Sequence, residues 1–232
     1  MSVNNILIWG GKSQCLIIKN MIDNDLVFFE DKKQKNNKIA FIVDPFLEEP
    51  IFKNDIPFLN DKASFKKVLK EVNSFVVAIA GNLGMARTLI SEELCKLKLK
   101  PLSIISSHTY IDKETFLGLG VQIMPNTTIN CFCKIGNYSI INTSATIDHE
   151  CNLGKGVHIM GGASLAGRIK VNDYVTVGTN ATIIPNLELS EGSYIGAGSV
   201  VTKNIKKDEI VVGNPSRFLR ESSHFYDLNF FK

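Results

Sequence analysis

The chain lacks any apolar run near the ~18 residues a membrane span requires. Its opening, Met1 to Trp9, lacks a basic segment followed by a small-residue cleavage site. The expectation is a cytoplasmic protein with no membrane partner. A dominant charge is also missing: 26 Lys and Arg stand against 23 Asp and Glu, a formal net of +3, which is too balanced for a nucleic-acid partner. The five cysteines are odd in number, which argues against a disulfide framework. Cys131 and Cys133 have no second pair at zinc spacing, so no metal is expected. What remains is globular in character. Hydrophobic residues make up 44% of 232 and charged residues 21%, which excludes a disordered chain and allows one large domain or two small ones.

The strongest pattern is a repeat of six. From Ile111 in steps of six come Leu117, Ile123, Ile129, Ile135, Ile141, Ile147, Leu153, Ile159, Leu165, Val171, Val177, Ile183, Leu189, Ile195 and Val201. The position four residues after each of these is small or β-branched in most hexads, and the position just after is often glycine, as at Gly118, Gly136, Gly154, Gly178 and Gly196. A period of six suits neither a helix nor a hairpin sheet. It suits a solenoid in which each hexad is a short strand plus a corner, with Gly or Asn supplying the corner dihedrals. Three sides close a coil of eighteen residues, which is the hexapeptide β-helix, whose known members wind left-handed against the usual crossover rule. Without a long insertion in the register, no loop is expected to protrude. Cys133 and Cys151, eighteen apart, are read as small core residues in adjacent coils.

Residues 1 to about 105 lack this period. Asn5 to Trp9, Ile39 to Asp44 and Phe75 to Gly81 read as strands, and Leu16 to Ile22, Ser64 to Val72 and Met85 to Leu97 as helices. Alternation of this kind makes a small α/β domain with a parallel sheet. Asp31 to Lys38, rich in Lys and Asn, reads as a solvated loop. Ligands of open parallel sheets sit beyond the carboxyl ends of the strands. Those ends offer Gly10, Gly11, Lys12 and Ser13, then Asp44, then Gly81 and Asn82. Gly10-Gly11 would let backbone N–H groups approach a phosphate at a helix start, and Asp44 could accept from a ribose or base.

The block Asn142-Thr143-Ser144-Ala145-Thr146-Ile147-Asp148-His149-Glu150-Cys151, with the closing Val211-Val212-Gly213-Asn214-Pro215-Ser216-Arg217, resembles the bacterial sugar acyltransferases that join a Rossmann-like domain to a left-handed parallel β-helix. That family includes N-acetyltransferases of UDP-linked 4-amino sugars, such as the bacillosamine pathway enzyme, and sialic acid O-acetyltransferases. The likeness runs from about Ile6 to Arg217, and Asp55 to Leu59, Gly81-Asn82 and Arg87 fall at further recurrent positions. It implies a Rossmann-like nucleotide-sugar domain over residues 1–105, an acetyltransferase β-helix over 106–217 and a tail over 218–232. It implies His149 as catalytic base with Glu150 as its partner. His158, Gly167, Ala197, Asn214 and Pro215 are implied at acetyl-CoA, and a homotrimer holds coenzyme A between neighbours. Two segments depart from the family. Its first loop usually reads Gly-x-x-Gly-His-Gly, where this chain has Gly10-Gly11-Lys12-Ser13-Gln14-Cys15; its junction is often Ile-His-Pro-Ser, where this chain has Ile105-Ser106-Ser107-His108. The tail aromatics Phe225, Tyr226, Phe230 and Phe231 are expected to pack on the protein or on a neighbour.

Acetyl transfer from a thioester needs a base for the nucleophile and a donor for the developing oxyanion. Histidine is the natural base at neutral pH and needs a carboxylate to set its tautomer. Successive residues of a strand point to opposite faces, so Glu150 reaches His149 only if the chain turns a corner there; Asp148 is the rival. Gly167, eighteen residues on, should lie one coil above His149. His108 and His224 are read as structural or surface residues. The leading expectation is N-acetylation of a UDP-linked amino sugar in surface-glycan synthesis. The alternatives are O-acetylation of a sialic-acid-like sugar, and a non-catalytic or metal-binding β-helix of the γ carbonic anhydrase kind. The second is opposed by the lack of an HxxxxH pair. A serine acetyltransferase-like enzyme is opposed by the strand–helix alternation.

Overall fold

A computed structural model describes residues 3–24, 27–28, 37–53, 55–223 and 228–231. Residues 31–36 of the expected loop and His224, Phe225 and Tyr226 lie outside these. The hexads form two-residue strands on three flat faces. The first face stacks the strands beginning at Ile104, Gln122, Ile140, His158, Thr176 and Tyr194 and the longer Glu209–Val212. The second stacks those beginning at Tyr110, Thr128, Thr146, Ser164, Thr182 and Val200, and the third those at Phe116, Lys134, Asn152, Lys170 and Glu188. Every pair within the repeat is parallel and eighteen residues apart, as in Thr128↔Thr146 and Thr146↔Ser164. The last coil is two residues shorter: Leu189 pairs with Ile205 and Tyr194 with Ile210. This result is a three-sided parallel β-helix.

The aliphatic hexad positions fill the prism, and from Ile123 to Val201 none is more than 2% exposed. The restricted position four later is also internal; Val121, Cys133, Ala145, Cys151, Val157 and Ala181 are buried. Cys133 and Cys151 sit in adjacent coils, each thiol directed at a corner carbonyl, Asp148 at 3.0 Å and Ala166 at 3.1 Å. The left-handed corner falls three residues after the aliphatic one, with φ near +60°. Gly or Asn supplies it at Gly120, Asn126, Gly156, Gly162, Asn180, Asn186, Gly192 and Gly198, and Phe132, Tyr138, Ser144, Glu150, Arg168 and Tyr174 adopt it in the other coils. The glycine just after the aliphatic residue is not at the corner. Gly178 is glycine for space instead, since a Cβ there would stand 2.6 Å from the Ala197 nitrogen of the next coil.

The N-terminal elements are β1 (Asn4–Trp9), α1 (Ser13–Asp23), β2 (Val27–Phe28), β3 (Asn37–Val43), β4 (Phe58–Leu59), α2 (Lys62–Val68), β5 (Ser74–Val77), α3 (Gly84–Lys96) and β6 (Lys100–Pro101). The sheet order is β4-β3-β1-β5-β6, with every pairing parallel. β2 instead pairs antiparallel with Ile104–Ser106 at the end of the first prism face. α2 stops at Val68 rather than Val72, where the Glu71 N–H turns back to the Val68 carbonyl. β3 starts two residues before Ile39, so Asn37 and Lys38 are strand rather than loop.

The α/β domain rests on the first prism face through polar contacts that are fully enclosed. Arg87 on α3 is 0% exposed, and its guanidinium donates to the carbonyls of Tyr138 at 2.6 Å, Ile79 at 2.7 Å and Gly156 at 3.0 Å. Burial without a carboxylate partner lowers its pKa to about 9. Gln14 of α1 donates to Gln122 at 2.9 Å, and Gln122 donates to the Val77 carbonyl at 2.8 Å. Gln14 is therefore part of the joint between the domains.

Candidate functional site

His149 lies at the corner that follows the second-face strand Thr146–Ile147. Glu150 is the left-handed residue of that corner, with φ of 60°. The turn swings the two neighbouring side chains to one side, and His149 Nδ1 lies 2.8 Å from Glu150 Oε2. A carboxylate oxygen only accepts, so Nδ1 carries the hydrogen and Nε2 presents its lone pair. Asp148 takes a different part. Its Oδ1 accepts from the His149 backbone N–H at 2.8 Å and from the Asn130 amide at 2.9 Å. Those two bonds hold its carboxyl below the usual carboxylate range, the Asn130 bond contributing most. The ring is partnered by Glu150, and Asp148 shapes the corner.

Gly167 occupies the equivalent corner one coil above. A Cβ there would fall 2.5 Å from His149 Nε2 and 2.6 Å from Cε1, so the imidazole lies against a bare backbone. The coil's hydrogen bonds run from the Ala166 and Arg168 N–H groups and leave the Gly167 N–H without an acceptor among the described residues. Arg168 was not singled out from the sequence. It stands eighteen residues after Glu150; Nη1 is 3.8 Å from Glu150 Oε2, and Nε donates to Asn186 at 2.8 Å. The eighteen-residue step from Glu150 would have found it.

His158 is not brought to His149. It begins a first-face strand, is 2% exposed beneath the α/β domain, and its Nδ1 donates to the Gly81 carbonyl at 2.9 Å. Desolvation, with the Arg87 charge adding to it, lowers its pKa to about 4. Its Nε2 is buried and has no hydrogen-bond partner among the described residues. Ala197, Asn214 and Pro215 are exposed at the far end of the prism. Ala197 follows the first-face strand Tyr194–Ile195, so it belongs to a different corner column from His149 and Gly167.

A second feature lies where the carboxyl ends of β1, β3 and β5 meet. A cleft of about 370 Å³ is lined by Trp9, Gly10, Lys12, Ser13, Asp44 and Phe46 on one side and by Ala78 to Ala80 and Leu83 on the other. Asp44 Oδ2 accepts from the Gly11 N–H at 2.9 Å and Oδ1 from the Phe46 N–H at 3.0 Å, so Asp44 holds the loop and Gly11 stands behind it. Lys12 is the N-cap of α1 and makes no side-chain cap, which leaves the helix start open to an anion. Gly81 and Asn82 do not line the cleft. Gly81 is engaged with His158, and Asn82 is exposed. No three His, Cys, Asp or Glu side chains among the described residues are grouped as metal ligands.

No protein-family model and no curated protein matches the chain. Solved structures do. A mutant of perosamine N-acetyltransferase from Caulobacter crescentus, in complex with CoA and GDP-perosamine, aligns with a TM-score of 0.81 at 22% identity, over 95% of this chain and 99% of that one. The acetyltransferase domain of PglB from Neisseria gonorrhoeae, in complex with acetyl coenzyme A, aligns at 0.79 and 22%, over 94% and 100%. WeeI from Acinetobacter baumannii aligns at 0.78 and 24%, over 94% and 100%. Over 94–95% of its length the chain therefore shares the fold of these proteins, an α/β domain carried on a parallel β-helix.

Proposed function

We propose that this chain is an acetyl-CoA-dependent N-acetyltransferase acting on the amino group of a nucleotide-linked sugar. The observation that carries the reading is the His149–Glu150 pair with Gly167 against the open nitrogen. Nε2 is the base that takes a proton from the amine as its nitrogen attacks the thioester carbonyl. The C–N bond forms, the C–S bond breaks and the thiolate of coenzyme A leaves. The Gly167 N–H is the donor for charge on the carbonyl oxygen, and Glu150 stabilises the imidazolium. The cleft of the α/β domain, read as Rossmann-like, takes the nucleotide, its phosphates meeting the start of α1 and Lys12. The fold shared with proteins solved with CoA and a nucleotide amino sugar supports this reading.

The active unit is a homotrimer in the cytoplasm. A lone prism has narrow faces, and a groove between two prisms would hold coenzyme A beside His149. The exposed Ala197, Asn214 and Pro215 would line its far end, while His158, enclosed beneath the α/β domain, stays out of it. The carrier expected from sequence is UDP; the perosamine enzyme was captured with a GDP sugar. The test is release of coenzyme A thiol from acetyl-CoA with UDP- and GDP-linked 4-amino sugars and, separately, with sialic acid. Turnover with one amino sugar, abolished in His149→Ala, is expected. Turnover with sialic acid alone would replace the amine by a hydroxyl acceptor. Undiminished turnover in His149→Ala would remove the base assigned here.

A further inference from the structure

The C-terminal tail has no part in the chemistry above, yet it ends on a residue that does border the cleft. After the strand Arg217–Glu221, which pairs with Glu209–Val212 at the end of the first face, the described residues Leu228 to Phe231 lie on the α/β domain. The Phe231 ring stacks on Trp9 with centroids 4.9 Å apart and planes 20° apart. Phe230 meets Trp9 edge-on at 5.1 Å and Phe65 of α2 at 5.5 Å. Leu228, Phe230 and Phe231 thereby join the cluster of Leu7, Val43, Phe75 and Ile90 that forms one side of the sheet. Offset and edge-on aromatic contacts of this kind hold a ring in place beyond the area they bury.

Trp9 is the last residue of β1 and is only 1% exposed. It is also a wall of the 370 Å³ cleft. The next residues, Gly10 to Ser13, form the turn that opens α1 toward the cleft, and this turn has no side-chain cap of its own. Trp9 thus belongs both to the cluster that holds the tail and to the lining of the cleft.

We infer that Leu228–Phe231 is a positioning strap for the cleft. It clamps Trp9, Trp9 sets the Gly10–Ser13 turn, and the docked tail favours the conformation that binds the nucleotide. The inference rests on the reading of the cleft as the nucleotide site. Coupling of this kind is reciprocal, so nucleotide binding tightens tail docking by the factor that docking tightens nucleotide binding.

The chain contains a single tryptophan, so intrinsic fluorescence reports this one indole. The experiment compares the full chain with Phe230→Ala/Phe231→Ala and with Phe231→Tyr, which keeps the ring. Three quantities are measured: Trp9 emission with acrylamide quenching, calorimetric binding of UDP and GDP, and separate KM values for the nucleotide sugar and acetyl-CoA. The double variant should shift Trp9 emission to the red and raise quenching. It should weaken nucleotide binding about tenfold and leave KM for acetyl-CoA within about twofold, while Phe231→Tyr keeps the emission and affinity of the unaltered chain. Unchanged emission would mean that the tail does not hold Trp9. A red shift with unchanged nucleotide affinity would make the tail packing only. Both results overturn the inference while leaving the nucleotide site intact. A full chain that binds neither nucleotide overturns the reading of the cleft, and the strap's role with it. A parallel rise in both KM values would indicate general loosening and also refute it.

Discussion

Glu150 reaches the imidazole of the residue before it, Nδ1 to Oε2 at 2.8 Å, because the backbone at Glu150 is left-handed with φ of 60°. A straight strand would place the two side chains on opposite faces. A left-handed conformation is disfavoured for any residue with a Cβ. The corner column therefore carries strain at the position where the carboxylate is needed. Glu150→Gly should stabilise the fold by about 0.5–1 kcal/mol while lowering kcat by about tenfold or more. Asp148→Asn, whose carboxylate serves the backbone, should lower kcat less than Glu150→Gln. Urea unfolding beside turnover checks both; a variant at Glu150 that loses stability and keeps activity would contradict the assignment.

Gly167 tests the other side of the ring. A Cβ would sit 2.5 Å from Nε2, and the imidazole would have to leave its place above the Gly167 backbone. Gly167 is not among the left-handed glycines, so alanine is compatible with the backbone. Gly167→Ala should keep its circular dichroism and melting temperature and lose about a hundredfold in kcat. Wild-type turnover in this variant would show that the ring is not used in the observed position.

His158 sets an acid limit on stability. Its folded pKa, about 4, lies below the unfolded value of 6.5, so the native state holds it neutral and the unfolded state binds the extra proton. Its contribution is complete above about pH 6.5, declines between 6.5 and 4, and amounts to something on the order of 3 kcal/mol. His158→Gln can still donate to the Gly81 carbonyl but does not titrate. The stability gap between wild type and this variant should change in the wild type's disfavour as pH falls through that window. Parallel pH profiles would show that the imidazole is solvated rather than enclosed.

Arg87 fixes the domains to each other. Its donors serve the Tyr138, Ile79, Gly156 and Val157 carbonyls, and lysine has one nitrogen with which to replace three. Arg87→Lys should cost about 3 kcal/mol by leaving buried carbonyls unpaired. A loss below 0.5 kcal/mol on that scale would mean that the joint does not depend on it.

The prism was readable because a hexad aliphatic has one job in every coil. Ile129, Ile147 and Leu165 do the same thing eighteen residues apart. The candidate site was readable in part for the same reason, since a fixed period stacks His149 under Gly167. The shortened last coil was not readable, because Ile205 at the small position is as aliphatic as the repeat residue it becomes. Nor was the fate of Gln14, whose partner Gln122 is 108 residues away.

What the sequence determined by itself is therefore everything that repeats or alternates: the coil length, the inward residues, the order of strands and helices, and the column that holds His149 and Gly167. Periodicity is a local property, and one residue of each period speaks for the rest. The tertiary structure decided what depends on a single long-range meeting. It sent His158 to the Gly81 carbonyl, buried Arg87 among backbone oxygens and brought Phe231 to Trp9. Each of these is settled by which groups are left unpaired or uncovered once the two domains close on each other, a quantity no local pattern contains.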